Sequence, residues 1–482
     1  MIFALLITPL IATIIAAIAG RKRQSSIEYA AVAAGIVQTL LALAIAQTTI
    51  TGKTVYAGSL FSVDALGAFA LLFTTVVGAA AAIHSVGYLR AECQKGVIGF
   101  RRVREYYVLF HLFFFAMFVV AATASPVIMW TAIEATTLAT AFLISFYNKP
   151  SALEAGWKHL IVNSVGLLLG FLGTLLFLNA AASAGDAGTF ISWDILRSLH
   201  ASLDPTLIKI AFIFCLVGYG TKVGVVPMHT WLPDAHSKAP APISSLLSGV
   251  LLNMALIAVL RFRGITDLVI DPSFSQHLLI GFGLVSLVVA SLIIFGQKNY
   301  KRMLAYSSIE HMGIMVIGFA IGGVAAIAAL FHMLYHALLK PILFFAAGNF
   351  FLKYSSTKVL KIRGALTLVP FTAAVFFAAL LAVSGVPPSG IFFTKLTILS
   401  AGIAQFPYAM FLVMAALALI LAGFLKSATS MLFSEPPADL PKGEANTWTV
   451  ASIAFLAAIF IVLSIYVPLP LKELITSAAS IL

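Results

Sequence analysis

Apolar runs recur along the whole sequence, each about 18 to 25 residues long, the length that takes an α-helix across about 30 Å of hydrocarbon at 1.5 Å per residue. In hydrocarbon a backbone N–H or C=O finds no water, so a crossing segment must satisfy its own polar groups, as a helix does. Composition agrees: hydrophobic residues make up 61% of the 482 residues and charged residues 10%. Mean hydropathy is +1.06, whereas a soluble domain carries about 25% charged residues. The sequence is that of an all-α integral membrane protein.

The same counts exclude several chemistries. The two cysteines, Cys93 and Cys215, are too few for an iron–sulfur cluster, which takes about four thiolates, or for a Cys-rich zinc site. No Gly-rich nucleotide loop follows a strand pattern. No cofactor, metal or redox catalytic residue is therefore expected in this chain, and redox chemistry belongs to a partner. Met1 to Gly20 lacks the basic leading region of a signal peptide, and Arg21, Lys22 and Arg23 follow it instead. It reads as a first crossing helix whose N-terminus lies outside the cytoplasm.

About fourteen spans are expected, at 1–20, 27–47, 63–87, 105–124, 127–147, 158–182, 206–229, 241–261, 277–296, 303–322, 324–351, 366–402, 407–433 and 447–468. Basic residues test that count independently. Loops assigned to the cytoplasm hold Arg21 to Arg23, Arg90, Lys95, Arg101, Arg102, Arg104, Lys149, Lys158, Lys238, Lys298, Lys301, Arg302, Lys353, Lys358, Lys361, Arg363 and Lys442. The opposite loops hold only Lys53, Arg197, Arg261, Arg263 and Lys472. The net charge of +12 is mostly this sidedness, and no nucleic-acid partner is expected. Both chain ends fall on the outer, periplasmic side of a bacterial or archaeal inner membrane.

Ionisable residues fall inside the spans as well: Lys209, Lys222, Lys340, Lys395, Lys426, Glu134 and Glu310. Each costs at least about 2.5–3.5 kcal/mol in a bilayer and is a functional candidate by default, against snorkelling or a structural ion pair. Lys209 and Lys426 lie towards helix ends and suit snorkelling. Lys222 precedes Gly224 and Pro227, and Lys395 follows the run Ser384-Gly-Val-Pro-Pro-Ser-Gly390. Pro227 cannot donate to the carbonyl four residues back, so the helix opens beside the lysine. Paired broken helices in two halves of a chain point to an ion path. The broken helices are the seventh and twelfth, each fourth in a unit of five, so helices 4–8 and 9–13 are expected to be inverted repeats. The domains read as 1–104 (helices 1–3 and a basic loop), 105–262 (first repeat), 277–433 (second repeat) and 447–482 (helix 14 and a short tail).

The segment from Lys222 through His229, Asp234, His236 and Pro240, then Lys301 to Ser307, His332 to Lys340, and Gly385 to Phe393, resembles the antiporter-like subunits shared by respiratory complex I, Mrp cation/proton antiporters and group 4 membrane-bound hydrogenases. The motifs Tyr306-Ser-Ser-Ile-Glu-His-Met-Gly313 and Glu154-Ala-Gly-Trp-Lys-His-Leu160 look most like component F of hydrogenase-4 and the formate hydrogenlyase type. The resemblance implies a proton path along the membrane midplane through Glu134, Lys222, His332, His336 and Lys395. It also implies partners: other membrane subunits and, through them, a peripheral hydrogenase or dehydrogenase arm. The family often carries a lysine on helix 8, where this chain has Asn253, which has no proton to give at neutral pH.

Glu134 and Lys222 suit a working pair on physical grounds alone. Two unit charges about 4 Å apart attract by about 4 kcal/mol at an effective dielectric of 20. Moving one charge through about 150 mV takes about 3.5 kcal/mol. His332 and His336 share a helix face and suit a relay with water, a core pair or, as the sharper alternative, a haem or metal site. Accessory candidates are Asn253, Glu310, Lys340, His229, Asp234 and His236. Glu310 is expected to partner Lys340 or Arg302, with His311 turned to another face. His229, Asp234 and His236 form a candidate cytoplasmic proton intake, with helix capping or subunit binding as the alternative for Asp234. The function expected is proton or sodium translocation within a hydrogenase-type complex, or alternatively within a complex I-like dehydrogenase or an Mrp-type antiporter.

Overall fold

The computed structural model describes residues 1–20, 23–50, 52–185 and 191–482. Arg21 and Lys22, two of the basic residues assigned to the first cytoplasmic loop, lie outside the described residues. In chain order the elements are α1 (Ile2–Ile18), α2 (Gln24–Thr49), β1 (Val55–Ala57), β2 (Phe61–Val63), α3 (Ala65–Gln94), α4 (Phe100–Ala122), α5 (Pro126–Ile144), α6 (Pro150–Ser183), α7 (Trp193–Ser198), α8 (Pro205–Val223), α9 (Trp231–Lys238), α10 (Ala241–Leu246) and α11 (Leu252–Val269). There follow α12 (Ser273–Gly296), α13 (Tyr300–Ile321), α14 (Gly323–Tyr354), α15 (Ala365–Leu368), α16 (Pro370–Ser384), α17 (Gly390–Ile403), α18 (Pro407–Leu432), α19 (Thr447–Ile465) and α20 (Leu469–Ala479). The all-α expectation gains one small addition, the antiparallel hairpin β1–β2, whose Phe61 bridges to Thr123 at the end of α4.

Local sequence sets many of the boundaries. Prolines open α5, α6, α8, α16 and α18, where a missing N–H costs nothing. Asp64, Asn299, Ser389 and Asn446 cap α3, α13, α17 and α19 through their side chains. Among the described residues, 12 helical stretches are long and apolar enough to cross a membrane, and α1, α16 and α17 are shorter apolar helices. The apolar windows of α13 and of the stretch Ala241–Val269 are wholly buried, while most of α2, α18 and α19 faces outward. α13, α14 and Ala241–Val269 are thus the centre into which buried polar groups can be aimed.

The two breaks foreseen in the sequence share one geometry. Gly224 (φ +83°) ends α8 and Gly385 (φ +90°) ends α16, a left-handed conformation that favours glycine. At the first, the N–H of Val225 reaches the Gly220 carbonyl at 3.1 Å and that of Gly224 the Thr221 carbonyl at 3.2 Å. At the second, Val386 reaches Leu381 at 3.1 Å and Gly385 reaches Ala382 at 3.0 Å. Both are Schellman caps, written as Gly-Val-Val-Pro and Gly-Val-Pro-Pro, and each is followed by a cis X–Pro bond. The expected span 206–229 ends early, at Val223, because the cap diverts the chain into the separate helix α9. The expected span 366–402 is likewise divided, at residues 385–389. A π-helical turn, Leu247–Leu251, joins α10 to α11, and no residue pattern announced it.

Contacts between loops respect the sidedness read from charge. Lys95 donates to the Leu352 carbonyl, Lys301 to that of Ala239 at 2.8 Å and Lys353 to that of Gly443 at 3.0 Å. Each of these joins segments assigned to one side. On the other side Arg261 forks onto Asp64 at 2.8 and 2.9 Å.

Candidate functional site

Buried ionisable groups converge where α13, α14 and α17 meet. Glu310 and His311 come from α13, His332, His336 and Lys340 from α14, and Thr394 and Lys395 from α17. All are at most 5% exposed. Lys395 reaches Glu310 at 2.9 Å, so Glu310 pairs with neither Lys340 nor Arg302, contrary to the sequence expectation. Arg302 instead reaches Asp234 at 3.4 Å. The Lys340 ammonium donates to the Leu304 carbonyl at 3.0 Å and to the Ser307 hydroxyl. The Lys395–Glu310 contact is an ion pair without hydrogen-bond angles. The ammonium's N–H bonds go to the Val383 and Ser384 carbonyls at 3.2 and 3.4 Å, at the end of α16. The break thus exposes helix-end carbonyls, with their partial negative charge, to the lysine beside it.

His311 is the residue the sequence reading undervalued. Its Nε2 lies 3.2 Å from Glu310 Oε2, so the two do not face apart. Adjacent residues on a helix buried all round can both curl into one cluster. Its ring centroid is 5.0 Å from that of His332 and 5.2 Å from that of His336, so it sits between the two histidines expected to work as a pair. The signal was present in the Ser-Ile-Glu-His motif, but only the fold shows the direction of the ring.

Hydrogen-bond directions through this cluster can be counted. The Thr394 hydroxyl lies 2.9 Å from the Ile391 carbonyl and 2.8 Å from His332 Nδ1 and can donate to either; when it donates to Ile391, its oxygen accepts from His332 Nδ1–H. If His332 is neutral, its Nε2 accepts from His311 Nδ1–H, 2.8 Å away, and a neutral His311 would present a lone pair to Glu310. That contact is attractive only when a proton lies on His311 Nε2 or on Glu310. If His332 is instead charged, the extra proton sits there. With the hydroxyl turned to His332 Nδ1 instead, His332 Nε2–H faces His311 Nδ1 and His311 Nε2–H faces Glu310, so the two arrangements of the row Glu310–His311–His332 differ by one proton.

The first-half groups are arranged differently. Lys222, fully buried, donates to Thr137 at 2.9 Å, and its ammonium stands 5.9 Å from the Trp231 ring centre. Glu134, half-buried, accepts from Ser164 at 2.6 Å and forms no direct ion pair with Lys222. Thr137, three residues on along α5, takes the ammonium instead. From there Thr140 meets His159 at 2.8 Å, and Trp231 stacks edge-on to His159 at 4.7 Å and lies 6.2 Å from His236. The His236 ring is 5.6 Å from Phe344 on α14, which leads towards Lys340. Asn253 donates to the Gly249 carbonyl at 2.9 Å and to that of Met333 at 3.4 Å, beside His332.

The remaining candidates disperse. Asp234 holds Lys158 at 3.3 Å as well as Arg302; it lies in the first turn of α9, and α10 has no side-chain cap. His229 sits in the turn after α8, its ring 6.2 Å from that of Tyr306, away from the inward-facing His236. Lys209 and Lys426 rest over Phe274 and Phe295 at 5.9 and 5.1 Å, as snorkelling side chains do. Sequence reasoning also missed Glu92, 2% exposed with an unpartnered oxygen; α3 runs past the expected span end and takes it inward. Among the described residues, no group of three or more His, Cys, Asp or Glu is placed to hold a metal ion.

Comparison with known proteins bears on the same residues. The family described as NADH:quinone oxidoreductase/Mrp antiporter, TM, matches residues 123–423, which contain every group of this row. The chain belongs to this family. It is an antiporter-like, multi-pass integral membrane protein. It is 36% identical over 384 residues to the hydrogenase-4 component F homolog of Methylacidiphilum infernorum, covering 79% of this chain and 81% of that one. It is 28% identical over 335 residues to NADH-quinone oxidoreductase subunit N of Desulforudis audaxviator, covering 69% of this chain and 64% of that one. With hydrogenase-4 component B of Escherichia coli it shares 28% over 345 residues, covering 67% of this chain and 48% of that one. In fold it is similar to a chain of the membrane-bound sulfane sulfur reductase, an archaeal respiratory membrane complex (TM-score 0.86, 24% identity, covering 100% of this chain and 97% of that one). It is similar too to a chain of the Mrp complex from Dietzia sp. (TM-score 0.84, 20% identity, covering 99% and 96%).

Proposed function

We propose that this chain is the proton-translocating, antiporter-like membrane subunit of a group 4 hydrogenase or formate hydrogenlyase-type complex. The observation that carries the reading is the buried row Lys395–Glu310–His311–His332, whose neighbouring groups lie close enough to pass a proton along it and which has an ion pair at 2.9 Å at its end. When the proton sits on His311, Glu310 is a carboxylate and attracts Lys395. When it sits on Glu310, that attraction, about 6 kcal/mol at an effective dielectric of 20, is gone, and the ammonium is left to the carbonyls of α16. Proton position and lysine position are therefore coupled. Unpartnered atoms at both nitrogens of His336, at His236 Nε2, Asn253 Oδ1 and Glu134 Oε2 are where we place water that continues the row towards Lys222, since buried polar atoms take partners.

In this reading α16 and α17 make one discontinuous crossing, α1 makes another, and the crossings number fourteen. Residues 105–262 and 277–433 are the inverted repeats, flanked by 1–104 and 447–482. The basic loops face the cytoplasm, and Met1 and Leu482 lie on the outer side of the inner membrane. The hydrogenase assignment rests on the match to the component F homolog at 36% identity over 81% of that chain. Dehydrogenase-type relatives match at lower identity and coverage, which keeps a complex I-like assembly as the second reading. Purification in mild detergent tests the assignment: co-isolation of a nickel–iron hydrogenase subunit is expected, and a flavin-containing dehydrogenase arm in its place would overturn it.

A further inference from the structure

At the cytoplasmic end of the bundle, a groove of about 750 Å³ opens between the end of α1, the start of α4, the end of α5 and the start of α6. Its wall is apolar. Leu138 (52% exposed), Phe142 (65%) and Trp157 (62%) face outward along it, and Leu160 also lines it. Leu160 is ten residues into α6, which begins at Pro150, so the groove reaches about 15 Å from the helix end towards the middle of the membrane. Its mouth is basic. Arg102 and Arg104 line it; Arg101 and Arg102 share Glu105 at 2.9 and 3.1 Å, and among the described residues nothing pairs with Arg104. Three guanidiniums stand against one carboxylate, above an apolar trough that opens to hydrocarbon.

We propose that this groove binds one diacyl phospholipid with an anionic headgroup, its phosphate held by Arg104 and Arg102 and one acyl chain laid along Phe142 and Trp157. Guanidiniums suit phosphate because their planar fork matches it in geometry and stays charged. Basic recesses between crossing helices on the cytoplasmic side meet the leaflet that carries anionic lipid. A headgroup-plus-chain ligand satisfies both ends of the groove, which free phosphate or a plain hydrocarbon does not.

The test is native mass spectrometry of the full chain titrated with phosphatidylglycerol or with phosphatidylcholine of the same acyl chains. Wild type is expected to favour phosphatidylglycerol by roughly thirtyfold, from the attraction of two basic side chains near a surface. Arg102→Gln with Arg104→Gln is expected to abolish the preference, and Arg104→Lys to keep part of it. Lys361→Gln, a basic residue of the same side away from the groove, is expected to leave the preference whole, and Trp157→Ala to weaken both lipids. Excess inorganic phosphate is not expected to displace the lipid. Equal binding of the two lipids by wild type overturns the proposal, as does a preference that survives the double substitution in protein of unchanged helix content. So does displacement by phosphate, or a cross-link from Phe142→Cys to another subunit in the assembled complex.

Discussion

Glu310→Gln isolates the coupling on which the proposed proton row depends. Glutamine keeps the shape, but it neither takes up a proton nor forms an ion pair with Lys395. At 2.9 Å the lost attraction is about 6 kcal/mol at an effective dielectric of 20. Removing one partner of a buried pair costs about 3–5 kcal/mol in practice, about the 3.5 kcal/mol needed to move a charge through about 150 mV. A barrier raised by even 3 kcal/mol slows a step by more than about a hundredfold. Vesicles carrying the assembled complex, with an internal pH-sensitive dye, should therefore show at least that loss, with Glu310→Asp partly restoring the rate. Lys395→Met should fall as far, and the double variant no further, because both changes break one device. Near-normal pumping by Glu310→Gln in intact complex, or additive losses in the double variant, would refute the proton–lysine coupling.

Other consequences can be measured alongside. His311→Ala should abolish translocation as fully as His332→Ala, while Asn253→Ala, which only orients neighbours, should weaken it modestly; equal damage from all three would mean that helix α11 plays a direct part. Gly385→Ala forces a left-handed φ and brings a methyl within 3.1 Å of Lys395 Cδ. It should cost about 1–2 kcal/mol of stability in detergent unfolding, and an unchanged midpoint would argue against the cap. Reporters fused after Arg104 and Arg363 should read cytoplasmic and one after Ala201 periplasmic, the reverse at any position contradicting the sidedness. At the start of α3, burial raises the Asp64 carboxyl but Arg261's charge and hydrogen bonds outweigh it, holding the carboxyl below its ordinary 3.8. Asp64 thus adds stability that is present above pH 3.8 and is lost as the pH falls through the depressed value. Asp64→Asn should lower stability at neutral pH and flatten its acid dependence, and equal acid sensitivity in both proteins would remove Asp64 from that role.

The sequence by itself determined that this is a bundle of crossing helices, roughly where they lie and where two helices break. Those properties depend on rules acting along the chain: hydrocarbon makes each crossing satisfy its own backbone, and Gly-Val-x-Pro ends a helix wherever it stands. The partners of the buried charges were decided only by the tertiary structure. Glu310 met Lys395, far along the chain, because α13 and α17 pack at the level where the carbonyls of α16 open. Lys222 met Thr137 in place of Glu134 because the side-chain directions of α5 and α8 select one neighbour of two on the same face. His311 entered the buried cluster because a helix buried on all sides has no outer face to receive it. A buried ionisable residue is visible in a sequence as an expense that must be offset, but the group that offsets it comes from another helix, and only packing brings that helix alongside.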